Sequence, residues 1–437
     1  MRFAVQLSTA KKGIMKRKFP YRYRVLIFLF FLTLITYLDR ICISLVGVRI
    51  KSEFNLTNEQ FGWVLASFAL AYAIFEIPSG VLGDRIGQRA VLIRIVLWWS
   101  IFTALTGLTT GLLSLIFVRF LFGMGESGAY PTSSAVVARW FPAGETARSM
   151  SSMFIGQNAG AAIAPLIIIP IAIALGWRAA FFVSGFLGLI WVLVCLLWFR
   201  NNPSEKKEVT DEEIHFIETN RRLTEHKQSL SWKIVFKNRS LWALVVSMFC
   251  SQWAQYFFIA WMPVYLQEGR HFSENGMKMI TSYFFIIGIA GVLLAGFLCD
   301  WTVRKKGLRA GRKIIGILAL GVLGSSFLIN AATTNNAVIV TSLYIGQIFY
   351  SFIPVVSFST CVDIGGARVG TIAGIMNSSG QIGAFLLALT FGKIADLTHS
   401  FNIPMFIISG VLFTGSLCWF FVDASKPLQT ESQKNTI

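Results

Sequence analysis

The sequence predicts an all-α membrane protein with twelve transmembrane helices in two pseudo-symmetric six-helix bundles. Three observations lead to this fold class: an apolar composition, recurring apolar runs and an internal duplication. The 437 residues are 55% hydrophobic and only 14% charged, whereas a soluble domain carries about 25% charged residues. Since roughly 20 apolar residues cross a bilayer as a helix, the recurring runs indicate a chain that crosses the membrane many times.

Polar breaks divide the apolar runs into twelve predicted helices. These cover residues 25–50, 60–82, 90–109, 112–138, 150–173, 177–199, 240–266, 276–299, 313–332, 336–360, 368–392 and 401–422. Thr57 and Gln60 have the spacing of a capping box before the second helix. The predicted domains are a basic tail (1–24), a first bundle (25–199), a charged linker (200–239), a second bundle (240–422) and a tail (423–437).

The net charge of +18 is distributed as in a membrane protein rather than in a nucleic-acid-binding protein. Lys and Arg cluster in residues 11–24, 200–239 and 304–313, whereas the predicted connections 109–112 and 331–337 contain neither. An excess of Lys and Arg is typical of cytoplasmic loops. We therefore expect both termini and the linker in the cytoplasm, a lipid bilayer as the surrounding partner, and no nucleic-acid partner.

The titratable and nucleophilic residues do not have the pattern of an enzyme site. The six cysteines are scattered through apolar runs without metal-ligand spacing, and the four histidines lie in predicted polar connections. The segment GESGAYP only superficially resembles a nucleophile elbow. We expect no enzymatic activity, no cofactor and no metal, and any proton chemistry inside the membrane falls to carboxylates.

Two pairs of segments indicate that the chain is a duplicated six-helix unit. GVLGDRIGQR (80–89) follows the second predicted helix and GFLCDWTVRK (296–305) follows the eighth, which places Asp84 and Asp300 216 residues apart. A second pair, offset by 220 residues, places Gln157 opposite Asn377. Internal repeats in a membrane protein favour a transporter whose site lies near the bilayer midplane, between the repeats.

The first of these turns resembles the signature loop of the major facilitator superfamily, and its weaker copy fits as well. Four further motifs together resemble the anion:cation symporter family, in particular bacterial hexuronate, galactonate and glucarate transporters: YLDR (37–40), RFLFGMGESGAYP (119–131), RWFPAGETAR (139–148) and WMPVYL (261–266). The resemblance covers nearly the whole chain. It implies the major facilitator fold, alternating access and uptake of an organic anion, usually coupled to protons.

Charged residues inside the predicted helices are the candidate functional residues. Asp39 and Arg40 lie about 21 Å into the first helix, and Glu126 lies about 21 Å into the fourth, with Arg119 two turns before it. Each such charge costs roughly 2.5–3.5 kcal/mol on insertion scales, so a functional role is the default expectation. An ion pair that serves only helix assembly is the alternative.

The resemblance implies a role for each of these charges. The matching arginine of the first helix holds the substrate carboxylate, which carries over to Arg40. The matching glutamate of the fourth helix is the main proton site, which carries over to Glu126, with Asp39 and Arg119 as supporting charges in proton coupling. Asp39 is also the candidate for a second protonatable site. Substrate-binding positions of the family match Tyr37, Tyr72, Gln157 and Asn377, and the gate motif comprises Gly80, Asp84, Arg85, Gly87, Arg89 and Asp300.

Two positions depart from the family pattern. Glu76 is a buried carboxylate where the family is usually uncharged, and it follows Tyr72 by one helical turn. It is either an extra proton site or the partner of an arginine near the gate. The tenth predicted helix reads VVSFST (355–360), where the family often has a tryptophan, so the substrate preference is expected to differ.

These observations together predict a proton-coupled symporter that imports an organic anion, most of all a sugar acid such as a hexuronate, aldonate or aldarate. Sodium coupling, or exchange of another carboxylate or a phosphorylated anion, is the alternative. We expect a monomer in the bacterial inner membrane. The exact anion, the proton count and the choice between Met1 and Met15 as the start stay open.

Overall fold

The computed structural model describes residues 19–142, 145–220, 238–365 and 369–426, apart from the side chains at 77, 80–85, 146–148, 365 and 369–371. This part of the chain is helical throughout and contains no β-strand. We refer to residues 19–220 as the first half and to residues 238–426 as the second half.

The first half contains nine α-helices. They are α1 Tyr21–Leu45, α2 Gly47–Phe54, α3 Asn58–Ile86, α4 Gln88–Thr106, α5 Leu112–Glu126, α6 Ala129–Trp140, α7 Thr146–Leu175, α8 Trp177–Trp198 and the linker helix α9 Asp211–Asn220. A capping box between Thr57 and Gln60 starts α3, as its sequence spacing predicts.

The described residues of the second half contain six helices of 14 residues or more. They are α10 Arg239–Tyr256, α11 Glu274–Ala332, α12 Asn336–Tyr350, α13 Phe352–Gly365, α14 Val369–Thr398 and α15 Asn402–Cys418. After Tyr256 the chain of α10 continues to Gly269 through two π-helical turns. Pro263 lies between those turns and has no N–H group to donate within the helix, which accounts for the wider turns around it.

The helices account for the twelve predicted membrane crossings. Ten helical stretches in the described residues are long and apolar enough to span a bilayer. Three of them join consecutive elements: α5 with α6, α10 with its π-helical continuation, and α12 with α13. One of them, α11, has 59 residues and is about 88 Å long, which is nearly three bilayer cores. It bends at Gly307, whose φ of 79° is non-helical, so it supplies two crossings. The 29-residue α3 is the twelfth.

Three predicted helices are interrupted in the structure: the first, the fourth and the tenth, the last of these at Ser351, between α12 and α13. The first is broken at Val46, between α1 and α2, and the fourth is broken at Ser127–Gly128, between α5 and α6. Pro131 explains the second break, because it has no N–H for the carbonyl of Ser127 and its ring crowds that carbonyl. The break comes directly after Glu126 and leaves this side chain at the end of α5.

In the main contacts between the two halves, α3 packs on α14, α7 on α11, and α1 on the π-helical turn Phe257–Trp261. The α3–α14 contact is especially close. A Cβ on Gly62 would lie 2.7 Å from the carbonyl oxygen of Ala388, and a Cβ on Gly392 would lie 2.2 Å from that of Asn58. The absence of side chains at both glycines permits this approach.

The two ends of the helical bundle differ in which helices their ion pairs join. We call the end with the start of α1, the end of α8 and α9 the terminal face, and the end with α2 and the connection between Gly269 and Glu274 the distal face. On the distal face the ion pairs Arg49–Glu274 (2.7 Å), Lys51–Glu268 (2.5 Å) and Lys393–Glu59 (3.6 Å) join the two halves.

The amide of Asn58 and the backbone N–H of Glu59 add a further connection on the distal face, each donating to Asp396 at 2.7 Å. On the terminal face, by contrast, the ion pairs of the described residues lie within one half. These pairs are Arg22–Glu145, Arg22–Glu213, Arg309–Asp423 and Arg312–Asp363. The structure is therefore held closed across the halves at the distal face.

Candidate functional site

An ion pair between α1 and α5 lies at the centre of the candidate site. The Nε atom of Arg40 donates to Oε1 of Glu126 at 2.9 Å, and its Nη2 atom contacts the same oxygen. The side chains of Arg40 and Glu126 are 12% and 1% exposed. The second oxygen of Glu126 is buried and has no hydrogen-bond partner in the described part of the chain. The carboxylate therefore uses only one of its two oxygens to hold the arginine.

Aromatic rings surround the Arg40 guanidinium. Its Cζ atom lies 4.9 Å from the ring centroid of Tyr37, 5.0 Å from that of Phe68 and 5.1 Å from that of Tyr72. The hydroxyl of Tyr37 also accepts a hydrogen bond from Arg40 Nη1 at 3.4 Å. Cation–π contacts stabilise a desolvated guanidinium by about 2 kcal/mol. They lie on the faces of the guanidinium and leave its in-plane N–H groups for hydrogen bonds, which here go to Glu126 and Tyr37.

Asp39, although adjacent to Arg40, faces a different helix. Its carboxylate is fully buried and lies beside Trp99 and Thr103 of α4. Neither of its oxygens has a hydrogen-bond partner among the described residues. Successive helical residues point about 100° apart, which is why α1 presents Arg40 to α5 and Asp39 to α4.

Arg119, on α5, is 2% exposed and packs over aromatic rings. Its Cζ atom lies 4.2 Å from the ring centroid of Phe122 and 5.3 Å from that of Phe68. Within the described ranges, its Nε and Nη1 atoms have no hydrogen-bond partner. Asp39 and Glu126 are near enough to interact with it electrostatically. Phe68 therefore lies between two guanidinium groups, those of Arg40 and Arg119.

The glycines around Glu126 serve helix packing. A Cβ on Gly123 would lie 2.5 Å from the carbonyl oxygen of Phe68, and one on Gly125 would lie 2.1 Å from the indole of Trp98. A Cβ on Gly128 would lie 2.7 Å from Ser79. The small residues of this motif therefore bring α5 and α6 against α3 and α4, and they hold Glu126 opposite Arg40.

Gln157 is oriented by a tyrosine that the sequence analysis did not single out. The hydroxyl of Tyr130, on α6, donates to Oε1 of Gln157, on α7, at 2.5 Å. Tyr130 also lies beside Tyr37. The sequence signal for Tyr130 was its place in the segment GESGAYP, one turn after Glu126. Tyr130 thus connects the aromatic rings around Arg40 to the amide of Gln157.

The candidate binding residue of the second half, Asn377, contacts the first half directly. Its Nδ2 atom, on α14, donates to Oε1 of Glu76, on α3, at 2.9 Å. The sequence left two roles for Glu76, an extra proton site or the partner of an arginine near the gate. No arginine lies within ion-pair distance of it in the described residues, which do not include the side chain of Arg85. Tyr72, one turn earlier on α3, lies against Arg40, so Glu76 is close to the central ion pair.

Other polar side chains join the two halves near the site. The hydroxyl of Tyr256, on α10, donates to the carbonyl oxygen of Leu65, on α3, at 2.7 Å. The amide of Gln347, on α12, donates to Asn158, on α7, at 3.5 Å. The Oε1 atom of Gln252 is buried without a partner in the described residues. Gln347 was missed from the sequence because an amide in an apolar helix gives no signal of the direction it faces.

The gate motif is described only in part. The side chains at 80–85, which include Gly80, Asp84 and Arg85, lie outside the described residues. Gly87 joins α3 to α4 with a φ of 88°, a left-handed conformation that favours glycine. The backbone and side chain of Arg89 donate to Asn201 and Leu196, next to the end of α8. Asp300 is exposed on α11.

The arrangement is suited to binding an anion rather than to covalent chemistry. It offers one guanidinium shared between a carboxylate and aromatic rings, a second guanidinium with free N–H groups, and several amides. An incoming carboxylate can replace Glu126 on Arg40 with little cost in hydrogen bonding, because both are charge-assisted acceptors.

Comparison with known proteins assigns the chain to a family. A sequence profile described as Major Facilitator Superfamily matches residues 29–388. The chain is 30% identical to a probable sulfoacetate transporter of Cupriavidus necator, over 96% of this chain and 98% of that protein. It is 31% identical to a hexuronate transporter of Bacillus subtilis, over 94% and 97%. It is 29% identical to a D-galactonate transporter of Escherichia coli, over 92% and 95%.

Solved structures show the same fold at lower sequence identity. A bacterial homologue of the human lysosomal transporter Spinster, inward-facing and occupied, aligns with a TM-score of 0.74 and 18% identity over 92% of this chain and 97% of that one. The inward-facing, unoccupied form aligns with a TM-score of 0.67. The chain is therefore a multi-pass membrane transporter rather than an enzyme, and it belongs to the major facilitator superfamily and, within it, to the anion:cation symporter family.

Proposed function

We propose that this transporter imports an organic anion, most of all a sugar acid, together with protons. The observation that carries the proposal is the buried ion pair between Arg40 and Glu126 inside a group of aromatic rings. Relatives named for galactonate and hexuronate transport support the substrate class.

Competition between Glu126 and the substrate carboxylate for Arg40 couples the binding of a proton to the binding of the anion. An anion that approaches ionised Glu126 to about 5 Å meets a repulsion of roughly 3 kcal/mol at an effective dielectric of 20. A proton on Glu126 removes that repulsion and frees the guanidinium for the substrate carboxylate. Proton and anion then each increase the affinity for the other, which is symport by linkage. Asp39 is the candidate for a supporting charge, because its carboxylate is buried and has no hydrogen-bond partner among the residues that the structure describes.

The polar groups around the pair suit a polyhydroxylated anion. Gln157 and Asn377 present amides, and the rings of Tyr37 and Tyr72 lie against Arg40. Hydroxyl and amide groups can pair with the donor and acceptor of each sugar hydroxyl. The ring faces cover the apolar face of a sugar.

The terminal face is proposed to be cytoplasmic, with both termini and the linker on that side of a bacterial inner membrane. The closed distal face then faces outwards, and the two halves are proposed to rock as six-helix bundles (25–199 and 240–422) about the central site. We propose that the monomer is the working unit. Asp84 and Arg85 of the gate motif would close the cytoplasmic side in the opposite state.

A thermal-shift screen of purified protein tests the substrate class. The panel contains D-galactonate, D-glucuronate, D-glucarate and sulfoacetate, at pH 5.5 and pH 8. An anion present at 100 times its Kd stabilises the protein by about 2.7 kcal/mol. We expect stabilisation by at least one sugar acid, stronger at the lower pH. Stabilisation by none of them, or equal stabilisation at both pH values, contradicts the proposal.

The free N–H groups of Arg119 favour a second candidate function, exchange of a phosphorylated anion held by two guanidiniums. Under this alternative, uptake into liposomes loaded with inorganic phosphate proceeds without a pH or sodium gradient. A strict requirement for the pH gradient excludes it, and a requirement for sodium identifies sodium as the coupling ion.

A further inference from the structure

Glu76 is a carboxylate near the substrate site that the proposed cycle does not yet use. It lies on α3, one turn beyond Tyr72, and it is half-buried. The partner of its Oε1 atom is the amide of Asn377, from the other half of the chain, at 2.9 Å. In the described ranges it forms no ion pair. A carboxylate inside a membrane protein with only a neutral partner is costly and marks a functional position.

The charges inside the membrane-spanning helices do not balance when all of them are ionised, and Glu76 contributes to the imbalance. Arg40 and Arg119 contribute two positive charges, while Asp39, Glu76 and Glu126 contribute three negative ones. With all five ionised, the interior has one excess negative charge, and an incoming monoanion doubles it. Two protons are needed for neutrality after the anion binds. Glu126 accounts for one of them. Asp39 and Glu76 are the carboxylates left for the second; Asp39 faces α4, whereas Glu76 is joined to the second half through Asn377.

The groups that face Glu76 come from the helices around it. Arg40, on α1, is near enough to interact with it electrostatically, and Tyr72 lies beside it on α3 itself. Tyr130 of α6 interacts with Tyr72. From α14 the facing group is the neutral Asn377, because Lys393 and Asp396 pair at the distal face. From α4, Arg89 binds next to the end of α8 and Arg94 is exposed. No cation among these described groups is paired with Glu76.

We propose that Glu76 is a second proton-coupling carboxylate, connected to the substrate through the amide of Asn377 that the two share. The proposal rests on the proposed proton-coupled anion import. When a substrate oxygen takes the N–H of Asn377, Glu76 loses its donor and its negative charge is left without a partner. A hydronium ion from the solution then gives its proton to the carboxylate oxygen, which forms a neutral carboxyl O–H and leaves water. Release of the anion restores the hydrogen bond from the Asn377 amide to Glu76, and the proton returns to the solution as hydronium.

A hydrogen bond to a charged group contributes more free energy than one between neutral groups. The donor that Glu76 and the substrate share therefore couples anion binding appreciably to the protonation of Glu76. The same geometry also fits a cationic group on the substrate, such as an amine, placed against Glu76. The two cases differ in their consequence: a bound cation would keep Glu76 ionised, whereas the proposed cycle protonates it.

Infrared difference spectroscopy of the purified protein between pH 5 and pH 9 tests the proposal without any substrate. We expect a carboxyl C=O band that titrates in the wild type and is absent from Glu76→Gln. In Asn377→Ala the loss of the amide donor makes this band appear at a pH higher by about one unit. Glu53→Gln, at an exposed carboxylate on the distal face, leaves the band unchanged. A spectrum in which Glu76→Gln changes no band overturns the proposal.

Proton uptake on addition of D-galactonate, D-glucuronate and sulfoacetate to weakly buffered protein supplies the second measurement. We expect two protons per bound anion in the wild type and one in Glu76→Gln. Two protons in both proteins contradict the role of Glu76 but leave the proposed function intact. No proton uptake by the wild type, with the infrared band present, contradicts the proposed function instead.

Discussion

The interiors of the two halves differ in charge. Membrane-spanning helices of the first half carry Asp39, Arg40, Glu76, Arg119 and Glu126, whereas the stretches 240–267, 279–299, 314–362 and 369–392 of the second half contain no Asp, Glu, Lys or Arg. The second half instead presents amides and hydroxyls, such as those of Asn377, Gln347 and Tyr256. One half therefore contains the groups that can exchange protons, and the other contains neutral hydrogen-bonding groups.

This asymmetry has a consequence for movement between the halves. The ion pair Arg40–Glu126 lies within the first half and survives a rocking of one half against the other. Among the described residues, the interior polar contacts that cross between the halves are hydrogen bonds from neutral donors, at Tyr256–Leu65, Gln347–Asn158 and Asn377–Glu76. Separating them costs far less than separating buried opposite charges. The ion pairs that do cross lie at the distal face, where water can solvate the separated charges.

Replacing Arg40 is expected to have the largest effect, because it removes the central cation of the charged first half. Arg40→Ala removes the proposed anion clamp, and loss of a buried hydrogen-bonded charge costs about 2–5 kcal/mol, or roughly 30-fold or more in affinity. Isothermal calorimetry with the anion selected by the thermal-shift screen measures the loss. Arg178→Ala, at an arginine paired with Glu53 on the distal face, is the matched control. Unchanged affinity in Arg40→Ala would assign the clamp to Arg119.

The same substitution also leaves Glu126 buried without its partner, which costs stability by about 3–5 kcal/mol. The double variant Arg40→Ala with Glu126→Gln removes the orphaned charge. We expect it to recover thermal stability but not anion affinity. Recovery of both would show that Arg40 acts only in helix assembly.

Placing a charge in the neutral half breaks the asymmetry directly. Asn377→Asp puts a carboxylate next to Glu76 in place of the amide donor, and two such charges at about 4 Å repel by roughly 4 kcal/mol at an effective dielectric of 20. We expect uptake at pH 7.5 to fall more than tenfold and to recover partly at pH 5.5. Asn377→Ala, without the new charge, should lose less and show no such recovery. Equal losses at both pH values would contradict this account.

Tyr130→Phe is expected to have a smaller effect. It removes only the hydroxyl that holds Gln157, and a net hydrogen bond is worth about 1 kcal/mol. The apparent KM for uptake should rise roughly fivefold, with the maximal rate nearly unchanged. Tyr23→Phe, at a tyrosine near the start of α1, serves as the control. A loss of maximal rate rather than of affinity would indicate a role in the rocking movement.

The distal ion pairs are expected to give the smallest effect. Arg49→Gln removes the bidentate pair with Glu274, and a partly exposed pair is worth about 0.2–1 kcal/mol. The population with an open distal face should rise up to about fivefold. Labelling of a cysteine at position 58 on the distal side of proteoliposomes reports this population. A labelling rate equal to that of the otherwise unchanged cysteine variant would show that the pair does not hold the face closed.

The sequence predicted those parts of the molecule that depend on polarity alone. Twelve crossings follow from apolar length, and the grouping of Arg40 with Glu126 follows because intramembrane charges must turn inwards and find partners. The partners of neutral side chains were not predictable, since the pairs Tyr130–Gln157 and Asn377–Glu76 depend on how each helix is rotated. The break after Glu126 was foreseeable from Pro131, and the π-helical turns from Pro263, although neither was predicted.

We propose that Arg40 can hold the anion only when Glu126 carries a proton. Reconstituted Glu126→Gln, compared with Glu53→Gln, tests it most directly in two assays, uptake driven by a pH gradient and counterflow of the same anion without a gradient. We expect Glu126→Gln to lose gradient-driven uptake but to keep counterflow, whereas Glu53→Gln should keep both. Gradient-driven uptake by Glu126→Gln at the wild-type rate would contradict the proposal.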